Sequence, residues 1–241
     1  MKDFRIYTLS ETALTISFGD RIDPLANDRA RALQQALWSS PFPGLRDLVA
    51  AYASLTVYYD PVVLRRHFPG ATAGQTLGRL LTEWAETRAP GTVPTEPLPT
   101  AIPVCYHPSL APDLEWVAAH CGVDTETVIQ WHSSVIYRVY MIGFIPGFPY
   151  MGSTLSALRV PRKARPRARV EEGSVALAGE QTGIYPVAVP GGWQVIGRTP
   201  LRLFDPAREP SALLQAGMRV QFNPISLDTY NMLAAHGDPH H

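Results

Sequence analysis

This sequence has few of the residues that would point to the common chemistries. It has only two cysteines, Cys105 and Cys121, in 241 residues. They form no C-x-x-C pair and no zinc set can be built from them, so they are expected to be reduced thiols rather than a disulfide. It has no excess of either charge: Lys+Arg and Asp+Glu both number 21. A balanced surface gives no electrostatic reason to bind nucleic acid or a membrane. No apolar run reaches the length of a membrane span. Met1–Glu11 has no signal-peptide core, and a cytoplasmic protein is expected. There is no G-x-x-x-x-G-K-[ST] loop, no G-x-G-x-x-G after a strand, no G-x-S-x-G elbow and no H-E-x-x-H helix. Phosphate-loop, dinucleotide, serine-hydrolase and zincin devices are therefore excluded, and no activated nucleophile is visible.

What is present is proline, 23 residues, in a chain 46% hydrophobic and 17% charged. That supports a sizeable core with many tight connections. At the amino terminus Phe4–Leu9 and Leu14–Phe18 alternate as two strands. Asp23-Pro24 opens a helix, with a capping carboxylate followed by proline at the first position. Leu48–Tyr52 and Leu55–Tyr59 are two more strands. Leu77, Leu80, Leu81 and Trp84 make the stripe of a second helix. The order ββαββα predicts an α+β domain over 1–90, an antiparallel ferredoxin-like sheet with helices on one face. Pro90–Pro103 holds five prolines, and 91–100 reads as a semi-rigid linker to a second domain at 101–241. There Ile102–Tyr106 is a strand, Leu114–Cys121 a helix, and Asp124 caps a helix ending at His132. A long strand alternates through Tyr137, Val139 and Met141. Short strands and turns follow as far as Arg219–Phe222, and the tail after Tyr230 is weakly patterned.

Four places offer chemistry. His132 ends a helix, whose negative terminus favours the imidazolium form; it is a proton carrier or, equally, a capping histidine. Gly143–Gly152, GFIPGFPYMG, sets Phe144, Phe148 and Tyr150 on a frame including Pro146 and Gly147, as a pocket wall or a barrel corner. Cations at Arg159, Arg162, Lys163, Arg165, Arg167 and Arg169 alternate over 163–169, which places four on one face of an extended segment. They would clamp carboxylate or phosphate, or simply be solvated. Gly179–Pro200, GEQTGIYPVAVPGGWQVIGRTP, presents Gln181, Thr182, Tyr185, Gln194, Arg198 and Thr199, together with Trp193, on a turn-rich frame. It is a ligand cleft or a structural hairpin whose polar groups cap turns.

Together HSSVIYRVYMIGFIPGFPYMG, PRKARPRARVEEGSVALAGEQTGIYPVAVPGGWQVIGRTPLRLFDP and GMRVQFNPI resemble the KipI or allophanate hydrolase subunit 1 family, over most of Ile102 to Ile225. The PGF, GxQTGIYP, PGGW and IGRTP elements in this order carry the likeness. The resemblance implies a cyclophilin-like, carboxyltransferase-type β-barrel. It implies a protein that works with an A subunit and a KipA-like C subunit to cleave 5-oxoproline to glutamate, with ATP as co-substrate and no metal or biotin. Two alternatives come with it: a regulator that inhibits a sensor histidine kinase, and a component of a urea carboxylase system. On the enzyme reading His132 would move the proton, and Gln181 and Thr182 would donate to an oxyanion. Arg162, Arg165 and Arg198 would hold carboxylate or phosphate. His132, Gln181 and Arg198 are expected in one cleft, the last two brought together by a hairpin at the PGGW turn.

Overall fold

A computed structural model describes residues 3–87 and 98–236. The chain divides into two compact units, Met1–Glu96 and Pro97–His241. The expected linker lies largely outside the described residues.

The first unit runs β1 (Arg5–Ser10), β2 (Ala13–Ser17), α1 (Pro24–Ser39), β3 (Leu45–Ala50), β4 (Ser54–Tyr59), α2 (Pro61–His67) and α3 (Ala73–Thr87). The order is ββαββαα. The extra helix α2 starts at Asp60-Pro61, where the carboxylate accepts from the Val62 and Val63 amides. The sheet is wholly antiparallel in the order β1-β2-β4-β3. A ferredoxin-like unit is β-α-β-β-α-β, so that label does not describe this element order. Asp23 caps α1 as expected, its Oδ1 accepting the Ala26 N–H at 2.8 Å. Leu14, Ile16, Leu55 and Val57 on one sheet face pack with Leu33 and Leu37 of α1 and Leu77 and Leu81 of α3. Truncating one such leucine to alanine costs about 2–5 kcal/mol.

The second unit runs β5 (Thr100–Cys105), α4 (Leu114–Cys121), α5 (Thr125–Ser134), β6 (Ile136–Ile142), β7 (Pro149–Gly152), β8 (Arg167–Val170), β9 (Ser174–Ala178), β10 (Gln181–Ile184), β11 (Val189–Gly191), β12 (Gln194–Arg198), β13 (Arg219–Ile225) and α6 (Leu227–His236). Seven strands close a barrel in the order β10-β7-β6-β13-β5-β12-β9, and β8 pairs with β11 as a separate ribbon. The barrel closes through a parallel pair, β5 with β13, in register from Thr100↔Val220 to Ile225↔Cys105. Its interior holds Ile102, Val104, Tyr137, Val139, Met151, Val175, Leu177, Ile184, Ile196 and Phe222. Asp124 caps α5, accepting the Thr127 N–H at 2.7 Å. Helix α6 lies in the tail that shows little pattern; none of its residues is buried, so it has no apolar stripe to detect. Cys105 and Cys121 are free thiols.

Candidate functional site

Strand alternation sorts the candidate residues onto two faces of the barrel wall. On β9, Val175 and Leu177 point inward with the core. Ala176 and Ala178 point outward to a second cluster with Phe148, Val170, Tyr185, Trp193 and Val195. Residues directly opposite on paired strands share a face. Thr182 opposes Leu177 and points inward; Gln181 opposes Ala178 and points outward. Arg198 opposes Ser174 and also points outward.

The expectation that a hairpin joins Gln181 to Arg198 is corrected by this register. β10 and β12 are not partners; β9 lies between them. Gln181 sits at the Ala178 end of β9 and Arg198 at the Ser174 end. Four residues at about 3.3 Å each put roughly 13 Å between those ends. Arg198 instead lies beside Glu171, whose carboxyl its charge helps to lower after the larger effect of Arg169. Thr199 is buried in the following turn, its hydroxyl accepting the Leu201 amide at 3.3 Å.

His132 is corrected too. It is no cation at a rim but a fully buried, neutral imidazole, its pKa driven down to about 3 by desolvation. The ring stacks on Phe222 at 4.4 Å. Its Nδ1 lies 2.8 Å from the Tyr106 hydroxyl, and its Nε2 lies 2.9 Å from Thr182 Oγ1. Thr182 Oγ1 also lies 3.2 Å from the Ala176 carbonyl, which only a donated proton can use. The consistent assignment runs one way: Tyr106 O–H donates to Nδ1, Nε2–H donates to Thr182, and Thr182 O–H donates to Ala176. His132 and Thr182 thus brace the barrel from inside, and neither faces the outer cluster.

The basic run is divided among partners. Lys163 Nζ and Arg167 Nη2 meet Asp113 Oδ1 at 2.7 and 2.8 Å, and Arg169 Nε meets Glu171 at 2.7 Å. Arg159 faces Glu180 at 3.4 Å. The four-cation face expected over 163–169 therefore does not exist. Arg165 is exposed on the same connection. Arg162 is exposed as well, its guanidinium carbon 5.8 Å from the centre of the Trp193 ring.

The aromatic candidates, in contrast, converge. Phe148 makes edge contacts with Phe144, Tyr150, Tyr185 and Trp193, with centroids 4.8–5.8 Å apart. Tyr150 meets Trp193 edge-on at 5.8 Å. The strand beneath must be bare for this. A Cβ on Gly183 would stand 2.8 Å from the Phe148 ring and 3.0 Å from the Pro149 carbonyl. Pro146 and Gly147 turn the loop, Gly147 at φ 81 where a side chain would meet Phe204. Phe144 remains 62% exposed with φ 68, a left-handed backbone that a bulky residue rarely adopts. Such strain concentrates at binding sites. Burial raises the Tyr150 phenol, and the Arg162 charge opposes it. Burial raises Tyr185 too, against the Trp193 main-chain amide and the Arg162 charge. The outer face thus offers the half-buried Tyr150 ring, an exposed Arg162 guanidinium above the buried Trp193, and the half-buried Gln181 beside the same strand pair. It suits a small, planar, anionic ligand.

One residue with a part in this site, Asp113, gives no signal in the sequence. Asp113 occupies the N-cap position of α4 but makes no side-chain cap hydrogen bond; its carboxylate binds Lys163, Arg167 and the Val195 amide. Burial raises its carboxyl, and those bonds outweigh burial and hold it below the usual range. Gln194, one of the polar groups of the Gly179–Pro200 stretch, uses its Nε2 to donate to the Pro161 carbonyl at 3.0 Å.

The carboxyltransferase domain family, subdomains C and D, matches residues 4–214. The 5-oxoprolinase B subunit of Bacillus subtilis (strain 168) is 39% identical over 234 residues, covering 95% of this chain and 95% of its own. The 5-oxoprolinase B subunit of Escherichia coli O157:H7 is 40% identical over 229 residues, covering 93% of this chain and 97% of its own. A crystal structure of a protein named TTHA0988 has a TM-score of 0.75 and 40% identity, covering 89% of this chain and 40% of that one. The chain thus spans about two fifths of the length of that solved relative.

Proposed function

The chain belongs to the carboxyltransferase domain family, subdomains C and D, and from that premise we propose that it works as the B subunit of an ATP-dependent 5-oxoprolinase. The observation that carries this is near-full-length likeness to two 5-oxoprolinase B subunits. The complex would hold A and KipA-like C subunits and open 5-oxoproline to glutamate in the cytoplasm. The barrel would be of the cyclophilin-like kind, with no metal or biotin.

The outer-face geometry fits that substrate. 5-Oxoproline is a flat lactam with one carboxylate. Arg162, set over the buried Trp193, would take the carboxylate, Tyr150 the ring face, and Gln181 the lactam amide. Phe144 would wall the site, backed by the buried Phe148 and Tyr185, and Arg165 would add charge. A lactam is a poor electrophile. Transfer of the terminal ATP phosphoryl group to its oxygen would release ADP and expose the ring carbon to water; the C–N bond would then break with the nitrogen taking a proton, and a second water would release phosphate from the resulting acyl phosphate to leave glutamate. In that step the chain's part is to bind, orient and exclude water. His132 and Thr182 act through the barrel wall, and Arg198 and Thr199 stand at its other end, outside this subsite.

The test is glutamate release from 5-oxoproline and ATP by the mixed A, B and C subunits. Release is expected from the mixture and not from this chain alone. Replacing Arg162 by Met should raise the KM for 5-oxoproline about 10–100-fold, the worth of a charged hydrogen bond. No release by the mixture, with inhibition of a sensor histidine kinase instead, would overturn the reading in favour of a regulator.

A further inference from the structure

Arg162 stands over Trp193 because two short segments grip each other residue against residue. One is Pro161, Arg162 and Lys163, the connection leading into β8. The other is Gly192, Trp193 and Gln194, leading into β12. The Lys163 N–H donates to the Gly192 carbonyl at 2.8 Å. The Gln194 amide donates to the Pro161 carbonyl at 3.0 Å. Arg162 and Trp193 are the middle members of the two segments, so these bonds bracket the pair.

Two such bonds on an exposed connection do not fix the height of a long side chain. Asp113 supplies the rest. It is only 3% exposed. Its Oδ1 accepts from Lys163 Nζ at 2.7 Å and Arg167 Nη2 at 2.8 Å, and its Oδ2 accepts from Arg167 Nη1 and from the Val195 N–H at 2.7 Å. Its own N–H donates to the Val195 carbonyl at 2.9 Å. One carboxylate therefore ties the connection that carries Arg162 to β12, the strand that begins directly after Trp193. It does so in place of the helix-capping bond its position would otherwise provide.

We propose that Asp113 is a positioning residue that sets Arg162 over Trp193 for carboxylate recognition by fixing Lys163, Arg167 and Val195 at once. This rests on the reading of Arg162 as the carboxylate-binding group. Asn at 113 keeps the volume but turns NH2 hydrogens toward a guanidinium, an ammonium or an N–H, so at least one bond is lost whichever way the amide faces.

The test uses the full chain in the reconstituted complex, with Asp113→Asn, Lys163→Met, Arg162→Met and the Asp113→Asn/Arg162→Met pair. Hydrogen exchange at the Lys163 amide reports the clasp directly. It is expected to quicken at least about tenfold in Asp113→Asn. The KM for 5-oxoproline is expected to rise about tenfold with kcat held within about twofold, the mark of lost substrate binding. The double variant should be no worse than Arg162→Met alone, because both changes disable one device. If Asp113→Asn does not fold, Lys163→Met, altered on the solvent side, is read the same way, with a smaller shift. Unchanged exchange and KM in Asp113→Asn, with Arg162→Met impaired, overturns the positioning role and leaves the site reading standing. Multiplying losses in the double variant also overturn it. Unchanged KM in Arg162→Met overturns the site reading itself, while exchange in Asp113→Asn still shows whether the clasp exists.

Discussion

Replacing Thr182 by Val removes one hydroxyl from the barrel interior and keeps the side chain's shape. That hydroxyl is the middle of a three-bond chain: Tyr106 O–H to His132 Nδ1 at 2.8 Å, Nε2–H to Thr182 at 2.9 Å, and Thr182 O–H to the Ala176 carbonyl at 3.2 Å. Without it the Nε2–H points at a methyl group in a fully buried space. Shifting the proton to Nδ1 gives no relief, since Tyr106 then loses its acceptor. One buried donor is stranded either way, at a cost of about 1–3 kcal/mol. A domain of this size loses roughly 2–4 °C of Tm per kcal/mol, so a fall of about 4–8 °C is expected from the middle of that range. Thr154→Val is the control. Thr154 is also buried, but its hydroxyl has no hydrogen-bond partner among the described residues. Its loss should be neutral within about 0.5 kcal/mol, or stabilising. Urea unfolding measures both, with the midpoint shifted and the slope unchanged. Equal effects for the two valines, or no loss in Thr182→Val, would refute the assigned chain of donors.

His132 also predicts a pH dependence. Its folded pKa of about 3 lies below the ordinary imidazole value of 6.5, so the unfolded chain binds more protons between those values. The stability from the neutral ring is full above about pH 6.5 and falls as pH drops toward 3, by up to about 1.4 kcal/mol per unit. Between pH 6.5 and 5, where most carboxylates stay charged, His132→Gln should flatten this slope; a slope equal to wild type removes the argument. Gly183→Ala should cost about 1–3 kcal/mol by overpacking against Phe148 and the Pro149 carbonyl. Near-UV circular dichroism should change with it as the aromatic cluster shifts, and an unchanged spectrum with unchanged stability contradicts the contact.

The parts legible in the sequence are those set by near neighbours. Asp23 and Asp124 announce the helices they cap because an N-cap bond spans three residues. Tyr137 and Val139 alternate because a strand does. What the sequence hides depends on distant residues. The alternation from Lys163 to Arg169 suggests a cationic face, but the acid that takes two of its charges is some fifty residues away in sequence. The PGGW turn looks like a hairpin because its flanks are adjacent in sequence; β9 separates them only once the barrel closes. At His132 the pattern holds the answer. Val128, Ile129 and His132 share a helix face, and Val128 is fully buried. The histidine belongs to the core by its neighbours rather than to solvent by its type.

The parallel pair that closes the barrel also has a consequence during synthesis. Thr100 must wait for Val220, about 120 residues later. At roughly 5–20 residues per second, β5 spends on the order of 6–24 s without that partner. A strand left unpaired for that long is a template for other chains. Each closing strand carries a proline in its register, Pro103 opposite Asn223 and Pro224 opposite Val104. Pro103 deletes a donor from the strand that must stay open until β13 is made. The nascent chain thus has a defence against premature pairing within the earlier of the two strands that finish the fold.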